Sequence, residues 1–439
     1  MKDMNGSKMN RVWDIAVIGG GPAGLAAAAL SARSGRSVVL LEKGSSLGGR
    51  ASSSREGGAS LNLGAHALYR GGSAQRVLEK LGVAAPGGSP GTNVAWVPEE
   101  GRGEIVSTAG LLLGRTLNWS EKRRFLRFFL GLRKLNPNEA TGQGWAAWMA
   151  ANGLHGRAAA VASALARLST YVGDADLLDA GTVIRQLQKP AVVYPDGGWQ
   201  TIVDGLAAKA SEAGAVCRTS ASVAGVERAE DGTGEWILRL ADGEYVRTGQ
   251  VIAAVEPARV ADWFGRWLPA EYLRSLERLQ PVYASALDLH LRRLPKPGRP
   301  FALGLDQPLY FSAHSQWAKL CDDSDHAVVH VMRYDGEQKD DISTGRASLE
   351  RFLDRVQPGW RDLVIRARYM PHVTVMYGMP SRDLKGTMGR PSVDTGLDGV
   401  YVAGDWTGGK ESLLDASMYS ADAAAELAVK TRAIGVNAG

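Results

Sequence analysis

Between Val12 and Glu42 the chain runs strand, glycine turn, helix, strand and acid, and this order constrains the fold more than any other feature. Val12-Trp13-Asp14-Ile15-Ala16-Val17-Ile18 is short and β-rich, the pattern of a buried parallel strand. Gly19-x-Gly21-x-x-Gly24 follows at once. An Ala/Leu-rich stretch from Pro22 to Ser34 predicts a helix stopped by Gly35. Ser37 to Leu41 predicts a second apolar strand, ending at Glu42. In that context the glycines read as a dinucleotide-binding fingerprint. Gly19 allows the tight turn, Gly21 lets backbone approach a pyrophosphate, and Gly24 lets helix and strand pack closely. Pro22 and Ala23 open the helix, whose free N–H groups and positive dipole end suit phosphate. Glu42, with Lys43 beside it, stands where a carboxylate accepts from ribose hydroxyls; an acid there disfavours a 2′-phosphate.

Composition narrows the remaining classes. Glycine supplies 54 of 439 residues, against an average usage of about 7%. With no Gly-X-Y period and only 18 prolines, the excess points to tight turns and close backbone approaches. Two cysteines, Cys217 and Cys321, exclude a disulfide scaffold, a Cys-rich zinc site and a CxxC redox pair. The net charge of +5 is mild for this length and does not describe a nucleic-acid binder. Ile15 to Ala32 carries no charge, but Gly19-Gly20-Gly21-Pro22 interrupts it, so it reads as strand, turn and helix rather than a membrane span or signal peptide. The expectation is a soluble cytoplasmic protein.

Beyond the fingerprint, Leu47-Gly48-Gly49-Arg50 suits a loop passing beside a pyrophosphate, with Arg50 placed for phosphate oxygens or a flavin edge. At Leu61-Asn62-Leu63-Gly64-Ala65-His66 the chain turns apolar and small again. With the fingerprint, Glu42, Gly48-Gly49-Arg50 and Gly64-Ala65-His66 in place, this stretch resembles the N-terminus of the flavin-containing amine oxidase and phytoene desaturase superfamily. The resemblance implies FAD as the nucleotide, with Arg50 and the backbone near Gly64 close to the isoalloxazine.

Two later segments carry the same resemblance. Tyr194-Pro195-Asp196-Gly197-Gly198-Trp199 precedes a helix and then a strand with Val223, whose backbone the family places against adenine. Near the end, Gly399-Val400-Tyr401-Val402-Ala403-Gly404-Asp405 is a buried strand running into Gly-Asp, then a loop and a helix from about Leu413 to Val429. The resemblance implies that Asp405 contacts the ribityl or pyrophosphate region. It also aims the N–H groups near Leu413 and Leu414 at the flavin N1–C2=O edge, where a helix dipole stabilises the anionic reduced form. The fold class follows: α/β, a Rossmann-like FAD-binding domain of the GR2 type, as in amine oxidases, with a discontinuous α+β substrate-binding domain. We divide the chain into 1–85, 195–260 and 390–439 for FAD, and 86–194 and 261–389 for substrate.

Within 119–135, Phe125, Phe128, Phe129 and Leu132 fall on one helix face amid Lys122, Arg123, Arg124, Arg127, Arg133 and Lys134. The segment reads either as a surface helix packing on its own domain or as a membrane-surface helix admitting a lipid-like substrate. His326 and His330 lie four apart in a strand-rich region; without a third ligand this pattern predicts no metal site.

There is no second GxGxxG between strand and helix, which argues against a pyridine-nucleotide disulfide reductase; electrons are expected to leave for oxygen or a quinone. No cysteine lies near 400–420, so FAD is expected to be non-covalent. The cofactor carries such chemistry, while the protein orients a small-molecule substrate and excludes water. Candidate catalytic or wall residues are His66, Tyr194, Trp406 and Lys410, with Glu411 nearby. The leading expectation is hydride transfer from a small or apolar, isoprenoid-like substrate, as in phytoene-desaturase-like members. A flavin amine oxidase is the alternative. Amine oxidases commonly place an aromatic residue where this chain has Leu413, leaving Trp406 or Tyr419 to substitute. A third reading is a redox-neutral cyclase or a binding protein on the same fold; Glu42, Arg50 and Asp405 favour retained FAD over an escort protein.

Overall fold

The computed structural model describes residues 11–91, 93–189, 191–336 and 342–430. Its first sheet has seven strands, in the spatial order Val216–Arg218, Val38–Leu41, Val12–Ile18, Tyr245–Ala253, Trp236–Leu240, Val223–Arg228, with Val400–Val402 also pairing Tyr245–Ala253. The pairings of Val12–Ile18 with both neighbours, and of Val400–Val402 with Tyr245–Ala253, are parallel. Val223–Arg228, Trp236–Leu240 and Tyr245–Ala253 form an antiparallel meander at one edge. Buried on both faces, the central strands are continuous apolar runs, as a parallel sheet demands.

The fingerprint helix, Pro22–Arg33, buries every residue from Ala23 to Ala32. Its alanines let it lie against Gln200–Glu212 on one side and the C-terminal helix Leu413–Lys430 on the other, in one apolar cluster. Two glycines set this packing. Gly19 has φ +110°, and a Cβ there would stand 2.4 Å from the Ala254 carbonyl oxygen; a Cβ on Gly24 would stand 1.9 Å from the Gly19 carbonyl oxygen. Gly21 differs: a Cβ there would meet nothing nearer than the Gly48 oxygen, at 3.9 Å. The other face of the sheet is covered by Pro257–Phe264 and Ala270–Glu277, with Trp236 and Phe264 fully buried. The expected domain change at 260/261 falls inside the first of these helices, whereas packing changes partner between Glu277 and Val282, because Leu276 belongs to this cluster and Val282 to the next.

The second sheet also has seven strands, ordered Val364–Met376, Val282–Leu291, Ala327–Tyr334, Leu309–Ser312, Phe301–Gly304, Ala95–Val97, Val106–Ser107. All pairings are antiparallel except Phe301–Gly304 with Ala95–Val97. Helices Trp145–Ala151, Gly156–Thr170 and Ala180–Leu187 pack on it, joined by Trp119–Gly131 through Phe125 and Phe128. Among the described residues no helix is long and apolar enough to cross a membrane.

The second sheet buries a charged group. Asp288 is wholly buried on Val282–Leu291, the second strand from the edge. Its Oδ1 lies 2.6 Å from His330 Nδ1 on the neighbouring strand, and Oδ2 accepts from Arg368 Nη2 at 2.8 Å on the other side. Oδ2 also accepts from the Gly64 N–H at 3.2 Å, and Arg368 donates to the Asn62 carbonyl. The turn at 62–64 is thereby pinned to the second sheet. Burial pushes the Asp288 carboxyl upward, but His330 and Arg368 outweigh it and hold it below the usual carboxylate range.

Two outcomes follow. In flavin-free protein, Gly24→Ala loses about 1–3 kcal/mol or more from overpacking, seen as a lower thermal midpoint, while Gly21→Ala melts as wild type. Asp288→Asn removes the only carboxylate that pairs with Arg368 among the described residues, leaving it the Asn62 carbonyl and Ser54 hydroxyl, and costs up to about 3 kcal/mol. Because the native carboxyl pKa is depressed, that stabilisation is full above about pH 5 and is lost as pH falls through the native pKa, below about 4. Urea midpoints of wild type and variant should differ by a constant amount near neutrality and converge in acid.

Candidate active site

A cavity of about 590 Å³ lies between the carboxyl ends of the first sheet's parallel strands and the second sheet. The strand–turn–helix at 18–23 forms its floor, because the loop after a parallel strand opens at that end. The helix beginning at Pro22 has no side-chain cap and no acid in its first turn, so its N–H groups remain available to an anion. Glu42 closes this end: Oε2 accepts from Gly20 N–H and Oε1 from Gly44 N–H, each at 2.6 Å. Each carboxylate oxygen keeps a further lone pair for a hydroxyl donor.

Three distant segments meet at the middle of the cavity. Arg50 Nη1 lies 2.7 Å from Asp405 Oδ2 and donates to the Val375 carbonyl at 2.8 Å. Burial works against the guanidinium charge, but Asp405 more than offsets it and raises the pKa. Asp405 Oδ1 also accepts from Tyr377 N–H at 3.2 Å, and its carbonyl accepts from buried Arg390 at 2.9 Å. Burial pulls the Arg390 pKa down to about 10. The Tyr377 hydroxyl donates to Glu256 at 3.0 Å; burial and that bond push its pKa up to about 12. Opposite, Leu413 takes a left-handed φ of +56° as the C-terminal helix begins, a conformation costing a non-glycine residue of order 1–2 kcal/mol. Leu413, Leu414 and Ser417 line the cavity. Asp415, in the same first turn, faces away and is held by Lys189 at 2.5 Å and Ala74 N–H at 2.8 Å.

The cavity is divided by polarity. Glu42, Lys43, Glu256 and Arg259 line the cavity toward the fingerprint, while Arg50 and Asp405 pair with each other at its middle, against the Val375 carbonyl. The far end is walled by Tyr171, Trp199, Ala284, Ala286, Met332 and Val373–Val375, joined by His66, and none of these carries a formal charge when His66 is neutral. Burial lowers the His66 pKa. Its Nδ1 lies 3.1 Å from the Gly64 carbonyl, which can only accept, so Nδ1 carries the proton and Nε2 is left an acceptor.

The structure gathers nearly all the expected cofactor residues on this one surface: Gly19, Gly21, Pro22, Ala23, Glu42, Lys43, Gly49, Arg50, Gly64, Ala65, His66, Val223, Gly404, Asp405, Leu413 and Leu414 all line it. Gly24 lies behind, packed on Gly19. The expected catalytic residues divide. His66 and Trp406 are on the wall, Trp406 fully buried with Nε1 donating to the Val255 carbonyl at 2.9 Å. Tyr194 is beneath the wall, stacked on His314 with ring centroids 3.8 Å apart. Lys410 is exposed on the loop outside, and Tyr419 is about half exposed. From the Tyr194–Trp199 element it is Trp199 that reaches the cavity. Gly197 and Gly198 turn left-handed, and Trp199 N–H donates to Asn62 Oδ1 at 3.0 Å. His326 and His330 point apart, one to His290 and the other to Asp288.

The donor set fits a dinucleotide: an uncapped helix start, an acid at the ribose position, and open space above Gly21. Solved structures share the whole fold. An oxidoreductase from Methanosarcina mazei is 20% identical, with 94% of this chain and 100% of that chain covered and a TM-score of 0.77. A putrescine oxidase variant is 14% identical, with 96% and 99% covered and a TM-score of 0.76. Cyclohexylamine oxidase from Brevibacterium oxydans IH-35A is 14% identical, with 96% and 99% covered and a TM-score of 0.69. No curated protein matches the sequence. Residues 22–429 match the flavin containing amine oxidoreductases, a family that uses FAD, and the chain belongs to that family.

Proposed function

We propose that this flavin oxidoreductase dehydrogenates an apolar, uncharged organic substrate, isoprenoid-like in character, with FAD held non-covalently. The observation that carries this reading is the polarity split of the cavity. A charged substrate against Tyr171, Trp199, Ala284, Ala286, Met332 and Val373–Val375 would meet no charge on those side chains, and Arg50 and Asp405, which border this wall, already neutralise one another; burying an unpaired charge is costly. When bound, FAD supplies the two-electron acceptor for a substrate C–H bond. The chain's own residues do the rest. Gly19–Ala23 receive the pyrophosphate, Glu42 the adenosine ribose, and Val223 the adenine. Arg50 and Asp405 stand at the centre of the cofactor, and the helix start at Leu413–Leu414 favours negative charge there. His66 offers a neutral acceptor nitrogen at the apolar end. The segments up to 85, from 195 to the packing change after Glu277, and from 390 onward would form the cofactor domain and the remainder the substrate domain, with oxygen or a quinone taking the electrons. The amine reading keeps a specific basis: putrescine oxidase and cyclohexylamine oxidase share the fold, and Trp406 lies on the cavity wall.

The purified protein should be yellow, and acid precipitation should release all its flavin to the supernatant. Anaerobic mixing with polyenes should bleach the flavin band, and amines should leave it unchanged. Bleaching by amines alone overturns the apolar reading in favour of the amine oxidase. A colourless protein that takes up no added FAD overturns both. Separately, Glu42→Ala should weaken FAD retention by about tenfold or more, a loss of about 1.4 kcal/mol or more, with far-ultraviolet circular dichroism unchanged. Equal FAD occupancy in the variant removes the ribose role of Glu42.

A further inference from the structure

The helix Trp119–Gly131 is apolar on two opposite faces, and only one is covered by protein. Its inner face, Phe125 and Phe128 with Leu132 just beyond, packs on Trp145 and Trp148 in the core of the second sheet's helices. At 100° per residue the opposite face carries Trp119, Leu126 and Leu130, spaced seven and four apart. These are 87%, 43% and 80% exposed; Phe129 at the edge is 45% exposed, and Leu113 on the preceding short helix is 85% exposed. Among the described residues, nearly half of the exposed large apolar side chains thus fall within eighteen consecutive residues. Isolated exposed leucines are ordinary, but a contiguous cluster of this kind is a contact surface.

The charge around it has one sign. Arg115, Arg123, Arg124, Arg127, Arg133 and Lys134 are all exposed, and none has an ion-pair partner among the described residues. The nearby acid is already engaged: Glu121 accepts from Asn118 N–H and Arg157 N–H, both at 2.9 Å. Asn118 and Glu121 form a capping box, so the helix begins in a fixed geometry without outside help.

We infer that this outer face docks the protein on an anionic lipid surface, with Trp119, Leu126 and Leu130 entering the headgroup boundary and the arginines meeting lipid phosphates. An apolar stripe flanked by unpaired cations suits such an interface. A second copy of the chain fits poorly, because a two-fold contact would bring the same cations against one another. The inference stands independently of the substrate.

The test is co-sedimentation of the full-length protein with phosphatidylcholine vesicles containing about one quarter phosphatidylglycerol, and with pure phosphatidylcholine vesicles. Binding should be at least about tenfold stronger to the anionic vesicles and fall as salt rises. The triple variant Trp119→Ser, Leu126→Ser, Leu130→Ser should lose about tenfold or more. So should Arg123→Glu with Arg127→Glu. The substituted side chains point away from the core, so thermal midpoints should match wild type. Absence of binding to anionic vesicles, equal binding to neutral ones, or wild-type binding by the triple variant overturns the inference. So does a dimer in size-exclusion chromatography that the triple variant dissolves while wild type ignores vesicles.

Discussion

The fingerprint helix can aim its first turn at the cavity only because Gly24 lets it settle onto the Gly19 carbonyl, and Gly19 in turn lies against Ala254. A Cβ at either position would stand well inside contact distance of a backbone carbonyl oxygen, so the turn and the helix could not keep this approach to the central strands. That close approach buries the whole alanine run, brings the C-terminal helix alongside, and sets where Leu413 and Leu414 reach the cavity. The uncapped helix start is tolerable because it faces a site meant for an anion. The geometry of the nucleotide end therefore descends from backbone packing at two glycines rather than from any charged residue.

Polar links then join the two sheets. Arg50 connects the loop after the second strand to Asp405 on the last strand's loop and to the backbone of Val375 in the second sheet. Asp288 reaches the other way, from the buried strand Val282–Leu291 of the second sheet to the Gly64 turn. Asp288 and Asp405 are buried, so removing the cation that faces either one leaves a carboxylate without its partner, which costs more than the pair itself contributes. Between them they hold the cavity's roof and floor in register, and the Gly64 turn that Asp288 pins also orients His66 through its carbonyl.

What could be read in advance followed the range of the physics involved. The fingerprint, Glu42 and the strand into Asp405 are local patterns, each complete within a short run, and the structure places them as that pattern requires. Periodicity also found the inner face of the 119–131 helix, but it grouped Phe129 with Phe125 and Phe128. Phe129 sits at the rim, and the second stripe of Trp119, Leu126 and Leu130 was obscured by the arginines interleaved with it. Tyr194 drew attention as a polar aromatic beside two glycines, yet the left-handed turn at Gly197–Gly198 delivers Trp199 to the cavity instead. Lys410 is adjacent in sequence to the flavin-family loop but outside it in space. Ala284, Ala286, Met332 and Val375 bear no chemical signature at all; strand register alone makes them walls.

The chain by itself determined the fold family and the nucleotide end of the site, because strand, glycine turn, helix and acid act through backbone sterics and hydrogen bonding within about thirty consecutive residues. Tertiary structure decided the apolar end, the Arg50–Asp405 and Asp288–Arg368 links, and which face of the basic helix is left uncovered. Those features depend on side chains from far-apart segments meeting across two sheets, and burial of that kind is a property of the packed molecule that no local pattern encodes.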